Sequence, residues 1–462
     1  MIRLILALVL STAAVFAAHG PVYVVLWFDT EDYIEPSADD AALRIATDLD
    51  KLGVRATFKV VGEKARVLEA RGRRDVIRAL VRHDIGYHSN FHSFQPTPAL
   101  YLRDMGWLDG AAEFERREAP GLADLRRIFG IGPSCYGQPG SSWGPQSYRA
   151  LLRMGIPVYL DEGAQVGVND QPFWFGGMLH VFAMGRYLVR PPLNDEGQLP
   201  KTFAQFDQAA EDLEQRGGGV ISTYFHPTEF VTTAFWDLNF AKGAQPERNE
   251  WRNPPKRTAE DSERCYRILT RYVEHAKARP GVRFVTAREL PALYQSQLTP
   301  LGNRTAIARH MAEHQTFLVT EDGALSPAEM LQSLLGMEPV VVEGPVRRGE
   351  TAFRESAISR PAFERAKADT VAFIRTERRL PAEVWIGSAK LSLPDFAATL
   401  AADDGASDRV TVRKGNPEME KYVSTDARGS FNWPIHPEGF SAPQLLELAR
   451  LQAWTLKPAR LR

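Results

Sequence analysis

The sequence predicts an α/β barrel, on three observations. From Val22 to about Tyr294 short β-branched runs alternate with amphipathic stretches, the pattern of repeated βα units. The order of those units calls for parallel strands joined by crossover helices. The third observation is what ends the runs: Asp29-Thr30-Glu31 after residues 22–28, His88-Ser89-Asn90-Phe91-His92 after 84–87, and His226-Pro227 after 220–225. Polar, metal-competent side chains at the C-terminal ends of successive strands are how such a barrel builds an active site.

Taken in order, residues 22–28 read as a buried strand, and 40–52 as a helix stopped by Gly53. A strand over 55–61, a helix over 75–82 and a strand over 84–87 follow, then a helix over 111–129. Residues 148–154 read as helix before a strand at 156–160, and 203–215 as helix before a strand at 220–225. A helix over 260–278 precedes a last strand at 282–285. After Pro300 the texture changes. Leu325-Ser326-Pro327-Ala328-Glu329-Met330 and Leu391-Ser392-Leu393-Pro394-Asp395-Phe396 look alike, each opening a helix after a Gly-containing turn, and residues 439–446 form a weaker third instance. Short repeats of this kind build accessory or binding modules. Ser-Pro capping of ordinary helices explains the same residues equally well.

At 462 residues the chain is long enough for roughly two or three domains. Its 44% hydrophobic and 24% charged residues allow a sizeable core. A net charge of −1 gives no long-range attraction to nucleic acid or an anionic membrane. Arg3 followed by the apolar residues 4–16 and the small residues around Ala17 reads as an export signal over 1–18, too short for a membrane span. The chain is therefore expected to be periplasmic, extracellular or envelope-associated, with no stable membrane span once the signal is cut. Two cysteines, Cys135 and Cys265, are too few for a disulfide framework, and their pairing is open.

His88 and His92, four apart, can face one point, and neutral imidazoles are common ligands of zinc-like metals. With an acid from the first strand they make a face that leaves metal positions open for water and substrate. Residues 29 and 31 point the same way at a strand end, so one can bind metal while the other takes a proton. A helix cap or solvated acidic loop would read the same in isolation. Phe173-Trp174-Phe175 and Trp143 suit either a sugar-stacking platform or core packing. Asp161 suits either orientation of His226 or a helix cap. His83, His180 and His275 match no motif and read as surface or satisfied core residues, and Tyr224 and Phe225 as barrel packing.

Trp27-Phe28-Asp29-Thr30-Glu31-Asp32, Gly86-Tyr87-His88-Ser89-Asn90-Phe91-His92, Tyr136-Gly137-Gln138-Pro139-Gly140-Ser141 and Ile221-Ser222-Thr223-Tyr224-Phe225-His226-Pro227, in that order, resemble the polysaccharide deacetylase (NodB homology, carbohydrate esterase family 4) superfamily. The resemblance covers about residues 20–295. It implies a distorted (β/α) barrel holding a divalent metal, usually zinc, with Asp29 as general base, Glu31, His88 and His92 as metal ligands, and His226 as general acid. It further implies a hydrolase acting on carbon–nitrogen bonds other than peptide bonds, a deacetylase of a carbohydrate polymer. Backbone N–H groups near Gly140 and Ser141 are then the expected oxyanion donors.

The chain departs from the family pattern twice. Thr30 stands where a second adjacent aspartate is usual, so the metal acid falls to Glu31, with Asp32 the alternative. Gln138 stands where an arginine usually pairs with the base, and losing that cation raises the base's pKa and loosens its orientation. Activity is therefore expected to be weak, tuned differently, or restored by another arginine such as Arg186 or Arg190. The domain reading is a signal at 1–18, a catalytic barrel at 20–297, a linker at 298–316, and a smaller α/β or α+β module with short repeats at 317–462. Two other readings stand beside the deacetylase: the same fold acting on an O-acetyl ester, cyclic imide or ureide, and a catalytically silent carbohydrate-binding envelope protein.

Overall fold

The structure is a computed structural model and describes residues 20–300 and 302–462; the expected export signal lies outside the described residues. Its centre is a parallel sheet of β1 (Val22–Thr30), β2 (Thr57–Val60), β3 (Asp84–Tyr87), β4 (Cys135–Tyr136) and β5 (Val158–Leu160), extended by β6 (Phe173–Phe175), β7 (Met178–Val181), β8 (Gly219–Phe225) and β9 (Val282–Val285). The neighbours run β6-β7-β5-β4-β3-β2-β1-β8, and β9 joins β1 over Val22–Val25. Residues 188–189 bridge in parallel to Ser222 of β8, so the segment leaving β7 brings the two ends of the sheet together in a distorted (β/α) barrel. β1 is buried along all of its length, as a central strand covered on both faces must be, and its VYVVLWF run is suited to that position.

Helices at Ser37–Lys51, Arg74–Val81, Trp107–Phe129, Ser147–Arg153, Leu199–Gln215 and Ala259–Ala278 wrap the sheet, each within a few residues of its predicted range. Two elements differ from the sequence reading. A helix at Gly62–Ala70 follows β2, where no amphipathic period had marked one. Phe173-Trp174-Phe175 is the first strand of an antiparallel hairpin turned by Gly176 and Gly177, whose φ of +56° and +86° favour glycine. Phe173, Phe175 and Trp143 are fully buried, so of the two readings open to them it is core packing that holds.

The C-terminal region carries a duplicated unit. A helix (Arg304–Glu313), a hairpin of β10 (Leu318–Val319) and β11 (Ala324–Leu325) and a Ser326-capped helix (Pro327–Leu334) form its first copy. A helix (Arg360–Glu377), a hairpin of β13 (Glu383–Ile386) and β14 (Ala389–Ser392) and a Ser392-capped helix (Leu393–Ala401) form the second, with β12 (Ala357–Ser359) paired to β15 (Arg409–Thr411) beside it. This region is not set apart from the barrel. Its buried residues belong to the same apolar core, and β16 (Lys457–Pro458) adds antiparallel to β6 at the edge of the main sheet. Both cysteines are free and buried. No helix among the described residues is long and apolar enough to cross a membrane.

Candidate active site

Glu31, His88 and His92 meet at the C-terminal end of the sheet, all nearly inaccessible to solvent. Glu31 Oε1 accepts a hydrogen bond from Trp236 Nε1 at 3.0 Å. Its Oε2 lies 3.1 Å from His88 Nε2 and 2.9 Å from His92 Nε2. His88 is oriented by Nδ1, which donates to Gly137 O at 3.0 Å, and His92 by Nδ1 against Ser93 Oγ at 2.6 Å. With Nδ1 of His88 donating, its Nε2 lone pair faces the carboxylate, and His92 Nε2 faces the same oxygen with no hydrogen bond of its own. Three electron-rich atoms so close together require a proton or a cation between them, and one carboxylate with two imidazoles suits a zinc-like ion.

The charge balance is that of a site built for a cation. Burial opposes ionisation of Glu31, yet His92, His226 and the close approach of both imidazoles hold its carboxyl well below the ordinary range. Burial keeps His88 below the ordinary histidine value, favouring the neutral ligand form, whereas against burial Glu31 holds His92 above it. Asp32 is not among these groups: its Oδ1 accepts from the backbone of Ile34 and Glu35 and its Oδ2 from Thr228 Oγ1, so its oxygens are occupied in the turn.

The loop carrying both histidines is held by Glu118. Ser89 and His92 have φ of +63° and +56°, in the left-handed region, and Asn90 N and Tyr87 Oη donate to Glu118 Oε2 at 2.7 and 2.6 Å. Burial pushes Glu118 up to about 7. A carboxyl raised from 4.5 in the unfolded chain to about 7 in the fold contributes stability that is complete below pH 4.5 and is lost as pH rises through 7. Glu118→Gln, which keeps an acceptor for both donors, is expected to match the unaltered protein near pH 4.5 and exceed its unfolding free energy by up to about 3 kcal/mol at pH 9. Urea denaturation at the two pH values reads this difference. Equal stability of the two proteins at pH 9 would contradict it.

Asp29 stands beside the cluster, with Oδ2 3.7 Å from His226 Nε2. Its cation comes from none of the arginines expected. Lys59, on β2 and directly in register with Asp29, places Nζ 3.0 Å from Asp29 Oδ1 and 2.7 Å from Asp161 Oδ2. It is fully buried, with Nζ 4.0 Å over the Trp27 ring that stacks on Tyr224. Burial works against its charge, but Asp161 and Asp29 hold it above the usual lysine value. Arg186 lies near Asp170 and Asp212 instead, and Arg190 pairs with Glu229 and covers Tyr224. Gln138 turns away, accepting from Tyr159 Oη at 2.7 Å.

His226 is oriented by Glu229, not by Asp161. Glu229 Oε2 lies 2.9 Å from both the backbone N and Nδ1 of His226, leaving Nε2 toward Asp29. Burial opposes the charge, but Glu31, Glu229 and Asp29 raise His226 to about 9. Glu229 closes a capping box on the turn that begins with Pro227, so its spacing three residues beyond His226 was a signal in the sequence. Gly140 and Ser141 line the same cavity, of about 320 Å³, together with Asp161, Glu162 and Tyr224. Ser430, Asn432 and Trp433 of the C-terminal region line it too. His83, His180 and His275 lie elsewhere, bonded to Ala46 O, Phe175 O and Asp207.

No family model matches this chain, and no curated protein matches it. Solved structures similar to it include a putative polysaccharide deacetylase from Mycobacterium smegmatis, at 16% identity and TM-score 0.37, covering 60% of this chain and 91% of that one. A family 4 acetyl xylan esterase from Clostridium thermocellum, in complex with a cobalt ion, is 20% identical at TM-score 0.29 and covers 58% and 90%. Puue allantoinase is 15% identical at TM-score 0.37 and covers 59% and 90%. Likenesses this distant carry no argument about chemistry, which rests on the side chains themselves.

Proposed function

We propose that this protein is a metal-dependent deacetylase that hydrolyses N-acetyl groups of a cell-envelope or extracellular polysaccharide, exported by its N-terminal segment. The observation that carries the reading is the convergence of Glu31, His88 and His92 with Asp29 and His226 from the ends of three strands around one cavity. A divalent metal, most simply zinc, held by the first three would supply Lewis acidity toward the acyl oxygen and a lowered pKa for water. Asp29, with Oδ1 held by Lys59, accepts the proton of the attacking water at Oδ2. His226, fixed through Nδ1 by Glu229, delivers a proton from Nε2 to the leaving nitrogen. The silent-scaffold reading drew on the missing arginine, and a buried cation beside Asp29 removes that reason. The modest cavity favours one second reading, the same chemistry on a small O-acetyl ester, cyclic imide or ureide.

The test is a substrate panel on the zinc-loaded protein. Acetate release from chito-oligosaccharides supports the deacetylase, and turnover of small amides or imides alone supports the second reading. In either case Asp29→Asn is expected to keep stoichiometric zinc and lose at least about a hundredfold in kcat. Undiminished turnover in Asp29→Asn would remove that residue from the role of base.

A further inference from the structure

Residues 422–436 lie outside the barrel segment yet are stitched to the loops at its mouth. Ser424 N donates to Gln165 O at 2.9 Å and Gly167 N to Tyr422 O at 3.2 Å, in the loop beyond β5. Trp433 N donates to Ser141 Oγ at 2.9 Å, beyond β4, and Lys242 N to Pro434 O at 2.7 Å. Ile435 is fully buried in a small apolar cluster with Tyr33, Phe240 and the Trp236 that holds Glu31. A segment fastened at so many points is part of the wall of the site and not a tether to a separate module.

Within it Trp433 is half-buried and lines the cavity. Its ring is held on three sides. Nε1 donates to Asp237 Oδ2 at 2.6 Å, and Phe235 packs edge-on at 5.9 Å and 86°. Gly140, with φ of +53°, approaches so closely that a Cβ there would fall 2.5 Å from the indole. With its one N–H already donated to Asp237, the indole offers a ligand apolar surface alone, in a cavity that Glu162 and Asn432 also line. A pyranose ring, apolar on its C–H face and hydroxylated at its rim, matches that arrangement of one apolar wall and neighbouring hydrogen-bonding groups.

We propose that Trp433 is the platform on which this site stacks a sugar ring of its substrate, so that the C-terminal region sets specificity from inside the active site. The proposal rests on the carbohydrate reading above and adds a residue outside the barrel segment to it. In the zinc-loaded protein, Trp433→Ala is expected to raise KM for chitotetraose about tenfold while kcat stays within about threefold and zinc content is unchanged. Trp433→Phe, which keeps a ring but loses the bond to Asp237, is expected to stay within about threefold of the unaltered KM. An unchanged KM in Trp433→Ala overturns the proposal. So does Trp433→Phe as impaired as Trp433→Ala, because the operative feature is then the bond to Asp237. Should the unaltered protein release no acetate, the deacetylase reading fails, and the platform is read by calorimetric titration with chitotetraose. Affinity about tenfold weaker in Trp433→Ala upholds it, whereas equal affinity, or no binding by the unaltered protein, overturns it.

Discussion

Lys59→Met is expected to cost about 3–5 kcal/mol of stability, the scale of breaking a buried ion pair by removing one partner, and to abolish measurable turnover. Nζ lies between Asp29, 3.0 Å away, and Asp161, 2.7 Å away, with Lys59 fully buried. Burial already raises Asp161 to about 7 with Lys59 present, so deleting the ammonium raises it further. A carboxyl raised in the fold contributes stability at low pH that is lost as pH climbs through its folded value. The deficit of Lys59→Met is therefore expected to be largest near pH 8–9 and to shrink toward pH 5. Adding Asp161→Asn removes one of the stranded charges and should recover part of the loss, a coupling that a double-mutant cycle by urea denaturation measures. Gly137→Ala approaches the same network by another route, since a Cβ there would fall 2.0 Å from Lys59 Nζ and 2.3 Å from Asp161 Oδ2. A Lys59→Met protein as stable as the unaltered one at pH 8 would show that no buried triad of this kind exists.

The residues legible from sequence are those whose partners lie within a few positions or at strand ends. Asp29 and Glu31 share a face because strand side chains alternate, and His88 and His92 share a loop, so a local pattern exposes each pair. Lys59 is different. It alternates with Phe58 and Val60 in a four-residue strand and becomes a partner of Asp29 only through the β1–β2 register, which nothing in either strand declares. Sequence reasoning from the arginine absent at Gln138 therefore reaches Arg186 and Arg190 and passes over Lys59. Trp433 is further from legibility still, 196 positions from Asp237, the partner that holds it. The pairing of β16 with β6 is illegible too, because a two-residue strand is too short to show a period. For Trp143 and Phe173 the sequence allowed either platform or core, and burial by the hairpin around Gly176 and Gly177 is a tertiary fact.

His88→Ala and His92→Ala are each expected to abolish stoichiometric zinc binding, and with it turnover. Each removes one of three donors, and a Glu31 carboxylate with a single imidazole cannot complete the face a catalytic zinc needs. The loss has a thermodynamic signature independent of any substrate. A ligand bound only by the folded state adds RT ln(1 + [L]/Kd), about 4 kcal/mol when free zinc exceeds Kd a thousandfold, so zinc should raise the melting temperature of the unaltered protein and leave both alanine variants where they were. Asp32→Asn serves as the internal comparison. Asp32 is spent on Ile34, Glu35 and Thr228, so its variant should lose turn stability and keep zinc, the reverse of the histidine variants. Metal content by plasma mass spectrometry after dialysis against zinc separates these cases. One equivalent of zinc retained by His92→Ala would mean that the orphaned Nε2 facing Glu31 at 2.9 Å is not waiting for a cation, and the assignment of the centre would fall with it.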